Sequence, residues 1–322
     1  MTKLLLIATM ALPLVGCSES VSLKLNVKDE DGRPVTNAMV KITTLRKRTL
    51  NPHRSPNDYL TAFASSDTNG LVSAKIDMVS CSLTYWLSAG GYYNSPFKHV
   101  HYRILSQDLF SLRLAEHEKE ESVVMRKIKN PIPMYRYRIN GAKYLPQENG
   151  DYGFDMKEGD FVAPYGKGAV ADFYVRKNYD EKKRSTKSAL IFKGKGNGAY
   201  KIKAFTDSEF RSCYVADTNA VFTTCFRYEY KNHEYENPKD GSHRTEVCDV
   251  NEDECLILRT RCQFDEKGNL VSCHYSRIYG KIEIFRWLNF MSCAFNPMPN
   301  DPNLEFDVKR NLNRKDTSPY LP

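Results

Sequence analysis

The chain has 322 residues and a mass of 37.0 kDa, with 41% hydrophobic residues and a mean hydropathy of −0.55. That is long enough for two ordinary domains with real cores. The formal net charge is +8, but the excess is spread along the whole length, without the basic arm or stripe that marks nucleic-acid binding. Short clusters such as Arg46-Lys47-Arg48 and Lys182-Lys183-Arg184 read as solvated loops, and no nucleic-acid partner is expected.

The first twenty residues are MTKLLLIATMALPLVGCSES. Lys3 supplies a positive start, and Leu4 to Leu14 form an apolar run well short of the ~20 residues that a spanning helix needs. A positive start, a short apolar core and small residues before a cut describe an export signal. Leu14-Val15-Gly16-Cys17 resembles the lipobox of bacterial lipoproteins. That resemblance implies removal of residues 1–16, a diacylglyceryl group on the Cys17 thiol, and a fatty acyl (palmitate-type) chain on its new amino group. Two or three acyl chains make a stable tether where one holds only marginally. In Gram-negative lipoproteins an aspartate after the cysteine favours inner-membrane retention; Ser18 stands there, so the expected address is the outer membrane. Residues 17–20 are then the anchor and a short tether.

Nine cysteines is an odd number, and setting Cys17 aside leaves eight. An even count in an exported chain reads first as disulfides. All but Cys81 lie from Cys213 onward.

Residues 21–128 read as a first β-domain. Leu23, Leu25 and Val27 alternate with polar residues, Asp31-Gly32 supplies a turn, and Ala38, Val40 and Ile42 alternate again. A second turn falls at Ser66-Asp67-Thr68-Asn69-Gly70. A strand pattern at 83–87 leads to Gly90-Gly91-Tyr92, and a last strand is expected at 122–127. The order V-x-D-x-x-G-x-P-V-x-x-A-x-V, then D-x-x-G, then a strand ending in G-Y resembles the carboxypeptidase regulatory-like (transthyretin-like) β-sandwich. Such domains imply a rigid spacer or interaction module with no catalytic residues to transfer. His99 and His101 share a strand face, and the apolar alternates Val100, Tyr102 and Ile104 assign the histidines to the wet side rather than to a metal. Tyr92 and Tyr93 are candidate ligand-binding residues that could stack on sugar rings, or else cover the core edge.

Lys129-Asn130-Pro131-Ile132-Pro133-Met134 reads as a stiff connector over 129–134. Residues 135–322 again read as β-rich and cysteine-containing, with strand candidates at 189–193, 200–205, 221–230, 256–264 and 270–278. The expected fold class is therefore all-β, with two β-sandwich-like domains after the signal. The tail beyond residue 295 reads as extended. This half resembles other bacterial lipoproteins that share Y-G-x-G and P-N-D-x-N-L-E-F-D segments, which implies no chemistry.

Cys262 and Cys273 are symmetric about the Lys267-Gly268 turn, as are Phe264 and Val271, so both are expected as facing pairs of a hairpin. Cys248 with Cys255, and Cys213 with Cys225, are the other candidate disulfides; Cys81 and Cys293 stay unassigned. No C-x-x-C spacing supports zinc, so no metal is expected. GKGNG at 194–198 reads as a hairpin turn, because the lysine-hydroxyl pair of a phosphate loop does not follow it. Asp249 to Asp253 opens like a calcium loop, but Glu254 and Thr260 stand where glycine and the bidentate glutamate belong. Asp155, Glu158 and Asp160 are carboxylates of the sort a glycosidase needs, at an unknown separation. No catalytic residue or cofactor is assigned.

Two readings result. The favoured one is a non-enzymatic, lipid-anchored envelope protein with a binding or structural role toward an envelope polysaccharide or protein. Its rival is a glycan-binding or glycan-degrading accessory protein acting through residues 135–322.

Overall fold

The computed structural model describes residues 18–45, 59–107, 112–137, 143–146, 149–180, 185–232, 244–280, 282–284, 287–290 and 292–313. Cys17 and the two basic clusters at 46–48 and 182–184 lie outside them. The described residues contain no α-helix and form many β-strands, so the fold is all-β and β-sandwich-like. The chain divides into two compact units, the first ending at Lys127 and the second beginning at Ile128. No helix among the described residues is long and apolar enough to cross a membrane.

The first unit holds a three-stranded sheet of β4 (Leu71–Met78), β1 (Glu19–Asp29) and β9 (Glu118–Met125), in that order. Here β1 runs antiparallel to β4 and parallel to β9. A four-stranded antiparallel sheet follows the order β3 (Tyr59–Ser65), β2 (Met39–Leu45), β5 (Ser82–Ser88), β6 (Lys98–His101). A small hairpin of β7 (Ile104–Gln107) and β8 (Leu112–Leu114) completes the unit. Because β side chains alternate, Val21, Leu23, Leu25 and Val27 of β1 share one buried cluster with Val40 and Ile42 of β2 and Leu83, Tyr85 and Leu87 of β5. Each such side chain contributes ~1.5–3 kcal/mol on burial.

The turn residues route the chain between the sheets. Asp29 Oδ1 accepts the amides of Asp31 and Arg33, each at 2.9 Å, and Gly32 takes φ 77°. The chain then crosses, so β1 and β2 lie in different sheets rather than pairing with each other. Ser66 Oγ ties the crossing down, accepting from Ala38 N at 2.8 Å and donating to Val35 O at 2.6 Å. Gly70 takes φ 76°, and a Cβ there would lie 2.3 Å from Val27 O, so only glycine fits beside β1.

The second unit stacks a six-stranded sheet and a five-stranded sheet about a large apolar core. The six-stranded order is β13 (Asp160–Phe161), β12 (Gly150–Asp155), β14 (Phe173–Asp180), β15 (Ser185–Ile191), β17 (Cys225–Asn232), β18 (Arg244–Cys248). The five-stranded order is β10 (Tyr135–Tyr137), β23 (Ser292–Phe295), β20 (Leu270–Tyr279), β19 (Glu254–Phe264), β16 (Gly198–Lys203). A further three-stranded sheet joins β11 (Lys143–Tyr144), β22 (Trp287–Asn289) and β21 (Glu283–Ile284).

The centre of the five-stranded sheet is dry on both faces. Leu256 and Leu258 enter the large core, whereas Cys255 and Ile257 enter a second cluster with Ala204, Ala216, Tyr275 and Leu304. GKGNG is a turn, but not a hairpin: it carries the chain from β15 in one sheet to β16 in the other.

Two expectations about segments change. Residues 129–134 are not a free connector but part of the second unit. Glu305 accepts the amides of Lys129 (2.7 Å) and Asn130 (2.6 Å), and Asn303 Nδ2 donates to Asn130 O at 2.8 Å. The Asn- and Pro-rich tail is ordered through these same side chains, with Asn296 and Glu305 buried so that they replace sheet partners.

Candidate functional site

The carboxylates that offer acid–base chemistry gather where β12, the start of β14 and β19 meet. Arg261 sits in a β-bulge of β19 with φ 54°, between the pairs Thr260↔His274 and Gln263↔Ser272. A bulge re-aims its side chain, and here it points the guanidinium between the two sheets of the second unit. Arg261 Nε donates to Asp172 Oδ1 at 2.8 Å; its Nη2 donates to Asp172 Oδ2 at 2.8 Å and to Asp155 Oδ1 at 2.9 Å. The guanidinium lies 4.6 Å from the Phe295 ring centroid, and His274 stacks on the same ring.

The remaining lone pairs are also taken. Asp172 accepts from Thr260 Oγ1 (2.8 Å) and Met156 N (2.7 Å). Asp155 accepts from the amides of Lys157 (2.9 Å), Glu158 (3.2 Å), Ala169 (3.0 Å) and Val170 (3.1 Å). Burial alone would push Asp155 up, but those amides and Arg261 outweigh it and hold the carboxyl below its usual range. Burial likewise opposes the charge on Arg261, and the two aspartates reverse that and raise it. The arrangement is a fixed ion cluster that bolts sheet to sheet. A general acid or nucleophile needs a lone pair or proton facing a reactant, and this pair offers none.

Of the other expected acids, Asp160 accepts from the amides of Phe161 (3.0 Å) and Lys167 (3.2 Å), while Glu158 is exposed and joins the cluster only through its amide. In the loop that opens like a calcium site, Asp249 pairs with Arg227 Nε at 3.4 Å, and Glu254 pairs with Lys201 at 3.1 Å. Those cations occupy the charge that a metal would neutralise.

The eight cysteines among the described residues are free thiols in several separate settings. Cys213, Cys255, Cys262 and Cys273 share the second cluster, whereas Cys248 and Cys293 belong to the large core, and Cys225 is exposed. The expected pairs Cys248–Cys255 and Cys213–Cys225 are therefore not brought together: loop spacing ignored which face of a sheet each residue takes. Cys213 instead neighbours Cys255. Burial pushes the Cys255 thiol up to about 12, Arg277 opposes this, and Cys213 adds to the rise. Burial likewise lifts Cys262 to about 11, with adjacent Cys273 adding to it. Cys262 and Cys273 lie adjacent across the hairpin, but a second irregularity, between Gln263 and Phe264, shifts the register beyond them. Phe264 faces Leu270, not Val271.

In the first unit, Tyr93 is buried at 5% exposure and bonds backbone to backbone with Arg126, while Tyr92 is half-buried against the core. They close the sandwich end and present no open pair of rings. His99 and His101 are exposed on one face of β6, with Thr84 Oγ1 3.0 Å from His99 Nδ1. Cys81 is half-buried against the same core. Sequence reasoning missed Asp172 and Arg261, which lie in different strand segments and meet only through the bulge.

No family model matches the chain, and no curated protein matches it. Among solved structures, a 3-chlorocatechol 1,2-dioxygenase from Rhodococcus opacus 1CP is similar at 10% identity and a TM-score of 0.26, covering 35% of this chain and 62% of its own. The chain thus spans less than two thirds of that enzyme. The shaft pilin spaA from Lactobacillus rhamnosus GG is similar at 8% identity and a TM-score of 0.24, covering 81% of this chain and 94% of its own. Likenesses this distant carry no functional argument.

Proposed function

We propose that the chain is a lipid-anchored protein of a bacterial cell envelope with a non-enzymatic binding or structural role. Leu14-Val15-Gly16-Cys17 supports the anchor, with diacylglycerol on Cys17 and Ser18 favouring the outer membrane. The turn motif of residues 21–128 supports a transthyretin-like interaction module for the first unit. The observation that carries the non-enzymatic reading is the Arg261 cluster, in which the best acid pair is saturated by a guanidinium and backbone amides.

Export implies oxidation of the thiols, and the partners we propose are Cys262–Cys273 and Cys213–Cys255. Each bond releases two protons and passes two electrons to a disulfide-bearing oxidant of that compartment. Fatty-acid labelling of the wild type and of Cys17→Ala tests the anchor: label is expected in the first alone, and equal labelling of both would end the proposal. Intact mass of envelope-purified protein tests the bonds, and eight alkylatable thiols would remove them.

A further inference from the structure

The outer face of the β3–β2–β5–β6 sheet has an unusual composition. Val40, Ile42, Leu83, Tyr85 and Val100 point into the core, so the alternate residues point out. Lys41 faces Phe63 on one side and Trp86 on the other, so these three form one row across the strands. The neighbouring row is Thr61, Thr43, Thr84 and His99, in direct register. Phe97, just before β6, extends the aromatic row beyond Trp86. Phe63 is 64% exposed and Phe97 63%, large apolar rings on a sheet face that contact with water does not favour.

Charge sorts the possible occupants. No outward position on β2, β3, β5 or β6 is Asp or Glu; the fixed charge on the face is Lys41, with His99 and His101 beside it. The outer face of the other sheet differs. There Lys24 is neutralised by Glu118 at 2.7 Å and Glu120 at 3.6 Å, beside a groove of about 700 Å³ that also carries Asp67. A carboxylate-bearing ligand would be repelled from that side and attracted to the Lys41 side.

We propose that the β3–β2–β5–β6 face binds an extended anionic polysaccharide, a chain of uronate-type sugars. Phe63 and Trp86 stand two strand spacings apart, roughly 10 Å. Their rings stack on the apolar faces of separate pyranose units in one chain. Lys41, between them, pairs with a sugar carboxylate, and the threonine–histidine row bonds hydroxyls. This rests on the binding role proposed above and gives it a ligand. It moves the glycan from residues 135–322 to the first unit.

The test uses the full chain in detergent, with polygalacturonate as the anionic probe and dextran as the neutral one. The chain has two tryptophans, so emission can be assigned by substitution. Polygalacturonate is expected to shift the emission of the wild type and of Trp287→Phe, but not of Trp86→Phe. Phe63→Ala is expected to weaken polygalacturonate retardation in native gels at least tenfold. Lys41→Gln is expected to weaken it severalfold and to flatten its salt dependence, with dextran retarding none of the proteins. Equal retardation of wild type and Phe63→Ala at matched circular dichroism would overturn the site. So would a probe-free dimer in sedimentation that Phe63→Ala splits, which gives the face to a second copy. The outcome is independent of the anchor: loss of labelling with retardation intact removes the anchor alone, and the reverse removes the site alone.

Discussion

The two units solve the same problem, closing one sheet over another, with different materials. In the first unit the core cluster is apolar, and the ion pairs beside it keep a part-exposed member, as where Lys127, 31% exposed, meets the buried Asp29 at 2.7 Å. In the second, a guanidinium and two carboxylates are set between the sheets, their side chains 18%, 3% and 0% exposed. A pair with a part-exposed member is screened by solvent, whereas a fully buried one must be complete or it costs heavily. Losing a charge should therefore cost the second unit more than the first.

The largest effect should come from breaking the buried cluster. Arg261→Met leaves Asp155 and Asp172 facing each other without their cation, and removing one partner of a buried pair costs about 3–5 kcal/mol. Urea unfolding should show that loss, and adding Asp155→Asn and Asp172→Asn should recover part of it. Lys127→Met should cost less, because its ammonium is part-exposed and Asp29 keeps the amides of Asp31 and Arg33. A loss no larger for Arg261→Met than for Lys127→Met would dissolve the contrast between the units.

Oxidation state is the next way to sharpen it. If Cys262–Cys273 and Cys213–Cys255 form, reduction should cost the second unit about 2–4 kcal/mol per bond and leave the first untouched. Cys262→Ser with Cys273→Ser should mimic reduction at that bond, followed by the urea midpoint with and without reductant. An unchanged midpoint on reduction of protein shown by mass to be oxidised would argue against a structural role for the bonds.

The same contrast explains what could be read from the sequence. In β4 the exposed–buried alternation runs unbroken from Leu71 to Met78, because one face is wet. In β23 all four residues are buried, and in β19 four consecutive residues are, so the period-2 signal is erased where both faces are dry. The turns were legible, since Asp67-Gly70 and Asp265-Gly268 carry their own chemistry. The facing of Phe264 was not: it depends on a second register shift, between Gln263 and Phe264, that no residue type announces. The acid cluster was half legible. Asp155 stood out in a run of carboxylates, but the Arg261 that joins it to Asp172 lies 89 residues beyond Asp172 and 106 beyond Asp155 in sequence.

The smallest effect concerns acid. Asp151 on β12 takes Arg176 Nε at 2.6 Å and Nη2 at 2.9 Å, with Lys193 at 3.1 Å. The Arg176 bonds, opposed by partial burial and helped by Lys193, hold its carboxyl down at about 2 against an ordinary 3.8. A depressed carboxyl stabilises the fold above the unfolded value and loses that stabilisation as pH falls through the folded one. Stability from Asp151 should therefore be full above pH ~4, fade toward pH 2 and vanish below it. The two cations are about half exposed, so screening reduces the contribution to about 1 kcal/mol. Asp151→Asn should cost that much at pH 7 and nothing at pH 2, measured as the gap between urea midpoints. In the first unit, burial would raise Asp29, but Lys127 and the amides of Arg33 and Asp31 outweigh it and depress it too. Acid should thus loosen both units in the same direction. The Arg261 cluster should make the second unit's loss the steeper one, because protonating Asp155 unmakes a contact that nothing in solvent can replace.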